Sequence, residues 1–155
     1  MTDERFREVH HLDMRLSYAD CDPARILYFA AWFPWMERVH TEWLYLNDLR
    51  QDTLDERYGF RTITRAAECE YLVPASLFQR VRIGLGVAHL GRTSFRWDLR
   101  MTRLDDGVAV ARGSMTLVTI GTGGSPVPVP EPLRSLVARA LPPSNGARTP
   151  PVTQA

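Results

Sequence analysis

Two acidic side chains lie where the chain changes from a strand-like pattern to a helical one. Asp20 and Asp22 close the strand-like segment, and Pro23 directly after them favours a turn. A long aromatic segment with helical spacing follows, so the turn would place a carboxylate beside the open N–H groups of a helix N-terminus. Such N–H groups stabilise the oxyanion that forms when a carbonyl carbon is attacked. The pattern therefore predicts a site that binds and attacks a carbonyl group.

The segment after Pro23 has the spacing of one long helix. Its large apolar residues recur every three or four positions, which places them on one helix face. These residues are Trp32, Trp35, Met36, Val39, Trp43 and Leu46. Pro34 has no N–H and fits the first turn of a helix, so we expect the helix to begin near Ala31. No Ser, Thr, Asp or Asn lies within residues 29–33 to cap it, which leaves its first N–H groups to water or a substrate oxygen.

Alternation of apolar and polar side chains with a period of two predicts strands on either side of this helix. The predicted strands cover residues 12–19, 61–74, 80–90, 94–104 and 108–120. In the first strand we expect Tyr18 to share the buried face with Leu16. In the second we expect Ile63 to share a face with Ala67. Residues 105–107, Asp-Asp-Gly, are a strong hairpin signal between the last two strands.

One long apolar helix and an antiparallel sheet must bury their apolar faces against each other. The predicted fold class is therefore α+β, with a five-stranded antiparallel sheet wrapped around a long central helix. Glu131–Leu141 has the spacing of a short C-terminal helix. We expect a single domain over residues 11–141, a flexible leader over residues 1–10 and a disordered, proline-rich tail over residues 142–155.

The composition is that of an ordinary globular protein and argues against several classes. The net charge of +1 favours neither nucleic acid nor an anionic membrane as a partner. Two cysteines make no disulfide framework and four histidines show no zinc spacing, so we expect no metal and no cofactor. The charged N-terminus is unlike a signal peptide and no apolar run has membrane-spanning length, which favours a cytoplasmic location.

Three short motifs follow one another along the chain. Their residues are Tyr18, Asp20, Asp22, Trp35, Glu37 and Arg38 for the first, Tyr71, Pro74 and Ala75 for the second, and Gly91, Thr93, Ser94 and Phe95 for the third. Over roughly residues 12–132 the chain thereby resembles the hotdog fold, specifically the 4-hydroxybenzoyl-CoA thioesterase family and its short acyl-CoA thioesterase relatives. The resemblance implies a thioester hydrolase that acts on acyl-CoA, and a homodimer or homotetramer with active sites at the dimer interface.

The resemblance also implies roles for individual residues. Asp22 would be the catalytic carboxylate, either as a nucleophile that forms an anhydride or as a general base on water. The thioester carbonyl would bind the backbone N–H of Phe29. We expect the side chains of Tyr28 and Trp32 to line the acyl pocket. The residues expected to meet the CoA phosphates are Arg92, Thr93 and Ser94.

The chain departs from the family pattern close to the predicted site. Arg25 stands where the family has glycine. Three roles are open for it: narrowing the acyl pocket, forming a salt bridge with Asp20 or Asp22, or binding an anionic group of the substrate. Phe29 stands where the bacterial short-chain branch often has histidine, which we interpret as a change in substrate specificity. Leu77-Phe78 replaces the usual Gly-Asp after the second motif.

The same residues also allow other interpretations. Asp22 would equally serve as a turn or cap aspartate, and an Asp-x-Asp metal pair lacks further oxygen ligands here. The substrate would alternatively be an acyl-carrier-protein thioester in a polyketide or secondary-metabolite pathway, or the chain would bind acyl thioesters without catalysis. A hotdog dehydratase is disfavoured because no histidine lies between Asp20 and Glu37. The acyl group is left open between aromatic groups and short or medium aliphatic chains.

Overall fold

The computed structural model describes residues 5–144, which form five strands and three α-helices. The strands are β1 (His10–Arg15), β2 (Phe60–Tyr71), β3 (Arg80–Leu90), β4 (Ser94–Arg103) and β5 (Ala109–Gly121). The helices are α1 (Trp32–Leu46), α2 (Leu54–Tyr58) and α3 (Leu133–Ala140). The strand order in the sheet is β1-β3-β4-β5-β2, and every neighbouring pair is antiparallel. The predicted α+β architecture is confirmed.

α1 packs across one face of the sheet and forms the core with it. The helix residues that are buried there are Trp32, Trp35, Met36, Val39, His40, Trp43 and Leu44. Alternate residues of β3 and β4 are also buried, among them Val81, Ile83, Leu85, Val87, Phe95, Trp97, Leu99 and Met101. The rings of Trp43 and Trp97 meet edge to face with centroids 5.3 Å apart. Burying a large apolar side chain contributes about 1.5–3 kcal/mol, so this layer is the main stabilising contact of the fold.

The element boundaries largely follow the sequence pattern. β3 spans the predicted residues 80–90, β4 ends one residue earlier than predicted, and β5 begins and ends one residue later. α1 begins at Trp32 with Ala31 as its N-cap residue, as predicted. The short helix α2 was not predicted; it ends at Gly59, whose φ of 73° lies in the left-handed region that favours glycine.

The first strand ends earlier than predicted, and the buried face assigned to Tyr18 is wrong. Ser17 caps a 3-10 turn over Tyr18–Asp20: its hydroxyl accepts the Ala19 N–H, and its own N–H donates to the Asp20 carboxylate. This capping turns the chain away from the sheet after Leu16. Tyr18 is consequently 71% exposed, whereas Leu16 is buried.

A β-bulge in β2 reverses the face on which its side chains lie. The register with β5 shifts directly after Thr64, so that Ile63 pairs with Val118 while Ala67 pairs with Met115. Val118 and Met115 are three positions apart and therefore lie on opposite faces of β5. The predicted common face of Ile63 and Ala67 is thus wrong, because an extra residue interrupts the alternation.

The segment before β1 runs along the edge of β3. The Val9 N–H donates to the Leu85 carbonyl, and the Phe6 ring centroid lies 5.1 Å from the guanidinium carbon of Arg100. The predicted leader is described from residue 5 onward and the predicted tail as far as residue 144, so residues 1–4 and 145–155 of these two predictions lie outside the described residues. No helix within residues 5–144 is long and apolar enough to cross a membrane.

We predict that the contact between α1 and β5 tolerates no side chain at Gly113. A Cβ there would lie 2.8 Å from the Glu68 carbonyl oxygen and 3.3 Å from the Met36 side chain. Gly113→Ala should lower the free energy of unfolding by about 1–3 kcal/mol, as overpacking does, in urea denaturation. The control is Gly123→Ala, because a Cβ at Gly123 meets no atom within 4 Å. Equal stabilities of the two variants would contradict this packing.

Candidate active site

A narrow hairpin between β1 and α1 positions the Asp22 side chain. Cys21 pairs with Leu27 in an antiparallel bridge, and the Asp22 N–H donates to the Ile26 carbonyl at 2.9 Å. The Leu27 N–H donates to the Ala75 carbonyl at 2.7 Å, which joins the hairpin to the loop after β2. The hairpin is therefore fixed on both sides, and its tip has little freedom to move relative to the sheet.

The tip of the hairpin is a turn over residues 22–25. The Arg25 N–H donates to the Asp22 carbonyl at 2.9 Å, and the Ala24 N–H donates to Asp22 Oδ1 at 2.8 Å. Aspartate in the first position and Pro23 in the second are the residues that type I turns prefer. Arg25 has a φ of 61°, in the left-handed region. The backbone thus has the shape that glycine adopts most easily, although the residue is arginine.

Only one oxygen of the Asp22 carboxylate is used by the turn. Among residues 5–144 the Ala24 N–H is its sole hydrogen-bond donor, which leaves Oδ2 for water or a substrate. The turn-stabilising role that the sequence left open for Asp22 is therefore present, and it uses only one of the two carboxylate oxygens. Asparagine in place of Asp22 would keep the turn, because an amide oxygen accepts the same N–H.

Phe29 begins a 3-10 turn, Phe29–Ala31, that leads directly into α1. The Tyr28 N–H donates to the Asp20 carbonyl at 2.8 Å, which holds this turn beside the hairpin of Asp22. Neither Tyr28 nor Ala31 supplies a side-chain cap, as the absence of capping residues predicted. The first N–H groups of such a terminus are donors available to an oxygen from outside the helix.

A pocket of about 360 Å³ lies between this hairpin and the end of β2. Its lining residues are Asp22, Ile26, Leu27, Phe29, Trp32, Tyr71, Leu72, Val73, Pro74 and Ala75. The lining combines Asp22 of the first motif with all three residues named for the second. Asp22 is the one acidic or basic residue among these lining residues, so a single carboxylate faces a largely apolar wall.

Three of the residues predicted to act in the site, Asp22, Phe29 and Trp32, line this pocket together. Tyr28 is outside the lining; it is 47% exposed and its ring centroid lies 4.7 Å from that of Phe29. Arg25 is exposed, and its guanidinium forms no hydrogen bond or salt bridge within residues 5–144. In this structure Arg25 therefore neither lines the pocket nor pairs with an aspartate.

The turn of residues 92–94 lies at the far end of β3 from the pocket. β3 extends over ten residue steps, and at about 3.3 Å per step its ends are roughly 30 Å apart. The Arg134 guanidinium holds this turn by donating to the carbonyls of Gly91 and Arg92, at 2.8 Å and 3.0 Å. One chain by itself therefore does not bring Arg92, Thr93 and Ser94 to the pocket of Asp22.

Tyr71, the last residue of β2, belongs to the site although the sequence assigned it no role. It lines the pocket, and its hydroxyl donates a hydrogen bond to the carbonyl of Phe29. Burial around the hydroxyl and the neighbouring Cys69 raise the pKa of Tyr71 to about 12. The signal for this residue was the Tyr-x-x-Pro-Ala motif, but a motif does not show which atom a hydroxyl meets across the fold.

Glu37 and His40 of α1 form a pair outside the pocket lining. His40 is fully buried, its Nε2 lies 2.8 Å from the Glu37 carboxylate, and its ring stacks on that of Trp97. The hydrogen bond with His40 holds the pKa of Glu37 below its ordinary value. The pair thus connects the helix surface to the core and leaves Asp22 as the acidic group of the pocket.

The family model described as the thioesterase-like superfamily matches residues 16–137. This range includes the hairpin of Asp22, the whole of α1 and all strands from β2 to β5. The chain therefore belongs to the thioesterase-like superfamily. A comparison with curated proteins found no match.

Solved structures with the same fold include two whose names give a substrate. Slr0204, a 1,4-dihydroxy-2-naphthoyl-CoA thioesterase from Synechocystis, has a TM-score of 0.76 and 18% identity over 83% of this chain and 95% of its own. The gentisyl-coenzyme A thioesterase BH1999 has a TM-score of 0.69 and 19% identity over 80% of this chain and 98% of its own. A thioesterase-superfamily protein from Jannaschia sp. CCS1 has a TM-score of 0.74 and 22% identity over 91% of this chain and 96% of its own. The hotdog fold expected from the motifs is thereby confirmed.

We predict that Arg25→Gly stabilises the protein. A non-glycine residue in the left-handed region costs roughly 1–2 kcal/mol, of which about 0.5–1 kcal/mol is offset by the larger chain entropy that glycine loses on folding. The free energy of unfolding in urea should therefore rise by about 0.5–1 kcal/mol. Arg25→Ala is the matched control, because it also removes the guanidinium but keeps a Cβ. If alanine stabilised the protein as much as glycine, the backbone conformation would not be the cause.

Proposed function

We propose that this protein is an acyl-CoA thioesterase that hydrolyses an acyl-CoA to the free acid and CoA. The observation that carries the proposal is the pocket in which the Asp22 carboxylate, the Phe29 turn and an apolar wall meet. Membership of the thioesterase-like superfamily supports the reaction class. The acyl group would occupy the apolar part, with its thioester carbonyl between Asp22 and the N–H of Phe29.

Two routes are open to the carboxylate. As a nucleophile, Asp22 Oδ2 would attack the carbonyl carbon, the oxyanion would bind the Phe29 N–H, and CoA would leave as a thiolate; water would then hydrolyse the mixed anhydride. As a general base, Asp22 would take a proton from water while the water oxygen attacks the same carbon. In either route the thiolate takes up the proton that water releases, so no separate acid is required for the leaving group.

The lining of the pocket supports an uncharged, apolar acyl group. None of the described lining residues is basic, so a carboxylate on the acyl group would meet Asp22 without a compensating cation. A cavity of about 150 Å³ suffices for a benzene ring, and the pocket is about 360 Å³, so an aromatic acyl group fits. The names of the Synechocystis thioesterase and of the thioesterase BH1999 each contain an aromatic acyl group, which agrees with this choice. We therefore propose aromatic acyl-CoAs ahead of short or medium aliphatic ones.

A second copy of the chain is part of the proposal. The turn of residues 92–94 is roughly 30 Å from the pocket along β3. If Arg92 and its neighbours bind the CoA phosphates, they therefore act on a thioester held by another copy. An edge strand with exposed apolar side chains, here β2 with Ile63 and Tyr71, favours association over a monomer. We propose a homodimer or a homotetramer built from such dimers.

The proposal predicts that Asp22→Asn abolishes hydrolysis in a folded protein. Release of free thiol would be measured with aromatic, short, medium and long acyl-CoAs. The wild type should hydrolyse one class, and Asp22→Asn should lower kcat by about 10²–10⁴-fold, the usual contribution of a general base. Thermal unfolding should be nearly unchanged, because the asparagine still accepts the Ala24 N–H.

Asp20→Asn is the matched control for this experiment. Its carboxylate accepts hydrogen bonds from Ser17 and does not line the pocket, so the variant should keep its activity. Activity near wild type in Asp22→Asn would overturn the assignment of Asp22. Stabilisation by acyl-CoA without any thiol release would support binding without catalysis instead.

A further inference from the structure

The hydroxyl of Tyr71 bridges the sheet to the start of the helix at the wall of the pocket. Tyr71 is the last residue of β2, and its hydroxyl donates to the carbonyl of Phe29, the first residue of the 3-10 turn before α1. Both residues line the pocket. A side chain of the second motif thus contacts the backbone of the residue whose N–H is the proposed oxyanion donor.

No side chain caps the 3-10 turn at its N-terminus. Besides the bonds within the helical segment itself, the Tyr28 N–H donates to the Asp20 carbonyl at 2.8 Å and the Ala31 N–H to the Tyr28 carbonyl at 2.9 Å. Phe29 itself is 60% exposed, so its ring is not anchored in the core. A hydrogen bond to its carbonyl therefore restricts the rotation of the backbone at the residue that must present its N–H to the substrate.

The charge distribution gives the bond a second consequence. Phe29 lines the pocket, and the partial negative charge on its carbonyl oxygen would repel an oxyanion that formed nearby. The Tyr71 hydroxyl covers this oxygen with a donor. Since its pKa is raised to about 12, Tyr71 remains protonated and continues to donate throughout the pH range in which a thioesterase would be assayed.

We infer that Tyr71 is a positioning residue for the thioester reaction, because its hydroxyl holds the Phe29–Ala30 peptide through the Phe29 carbonyl and so restrains the backbone that presents the N–H of Phe29 to the developing oxyanion. The inference rests on the proposed function. It assigns Tyr71 an effect on the transition state and not on binding of the acyl group, since the hydroxyl is already engaged with the protein.

The test is Tyr71→Phe, which removes one oxygen and keeps the ring against the pocket. We expect kcat to fall about tenfold, the value of one hydrogen bond made in the right geometry, with KM changed less than threefold. Tyr45→Phe is the matched control: it removes the same hydroxyl from a residue that is 62% exposed on α1 and does not line the pocket. Its kcat and KM should equal those of the wild type.

A second measurement follows the hydrogen bond directly. With ¹³C at the Phe29 carbonyl, the resonance should move upfield from wild type to Tyr71→Phe, as expected when a carbonyl loses a donor. The same resonance should be unchanged in Tyr45→Phe. An unchanged resonance in Tyr71→Phe would show that the bond does not form in solution and would overturn the inference whatever the activity.

The kinetic outcomes separate this inference from the proposed function. If Asp22→Asn is inactive while Tyr71→Phe equals wild type, Tyr71 has no positioning role and the thioesterase proposal still stands. A raised KM with unchanged kcat in Tyr71→Phe would show that Tyr71 contributes to substrate binding only, which also overturns the inference. If the wild type hydrolyses no acyl thioester, the proposed function fails, and the inference fails with it.

Discussion

The short antiparallel pairing between residues 20–22 and 26–28 determines where the candidate site lies. It turns the chain back on itself in the space of a few residues, so that Asp22, which begins the turn at the tip, and Phe29, which begins the 3-10 turn before α1, line the same pocket. The Leu27 N–H then attaches the pairing to Ala75, which supplies the opposite wall of the pocket. Loss of this pairing would separate the carboxylate, the N–H donors and the apolar wall from one another at once.

The rest of the fold holds this pairing between two rigid elements. β1 leads into it from the sheet, and α1 leads out of it with its aromatic face buried on β3 and β4. Because the helix is anchored by Trp32, Trp35 and Met36 within its first turns, its N-terminus has a fixed position above the sheet. The site is thus built at the junction of the helix and the sheet, where the chain has backbone donors that neither element uses.

The sequence predicted the elements whose patterns are local. Period-two alternation located β3, β4 and β5 within a residue, and Pro34 located the start of α1, because both signals act through neighbouring residues alone. The errors arose where a single residue interrupts a pattern. One extra residue in β2 moved Ile63 to the other face, and the capping of a turn by Ser17 exposed Tyr18.

The candidate site was predictable in part for the same reason. Asp22, Phe29 and Trp32 are close in sequence and line one pocket, whereas Tyr71 reaches Phe29 only through the packing of β2 beside the hairpin. The left-handed backbone of Arg25 was also not predictable, because an arginine gives no local signal for it. The partner of a hydroxyl and the φ of a turn are consequences of the assembled fold.

The central claim is that Asp22 and the Phe29 N–H act together on a thioester held in this pocket. The most direct measurement is a crystal structure of Asp22→Asn with an intact aromatic acyl-CoA bound. The account predicts the acyl group against the wall formed by residues 72–75 and the thioester carbonyl oxygen about 2.7–3.1 Å from the Phe29 nitrogen. An acyl group bound elsewhere, or a carbonyl turned away from Phe29, would contradict it.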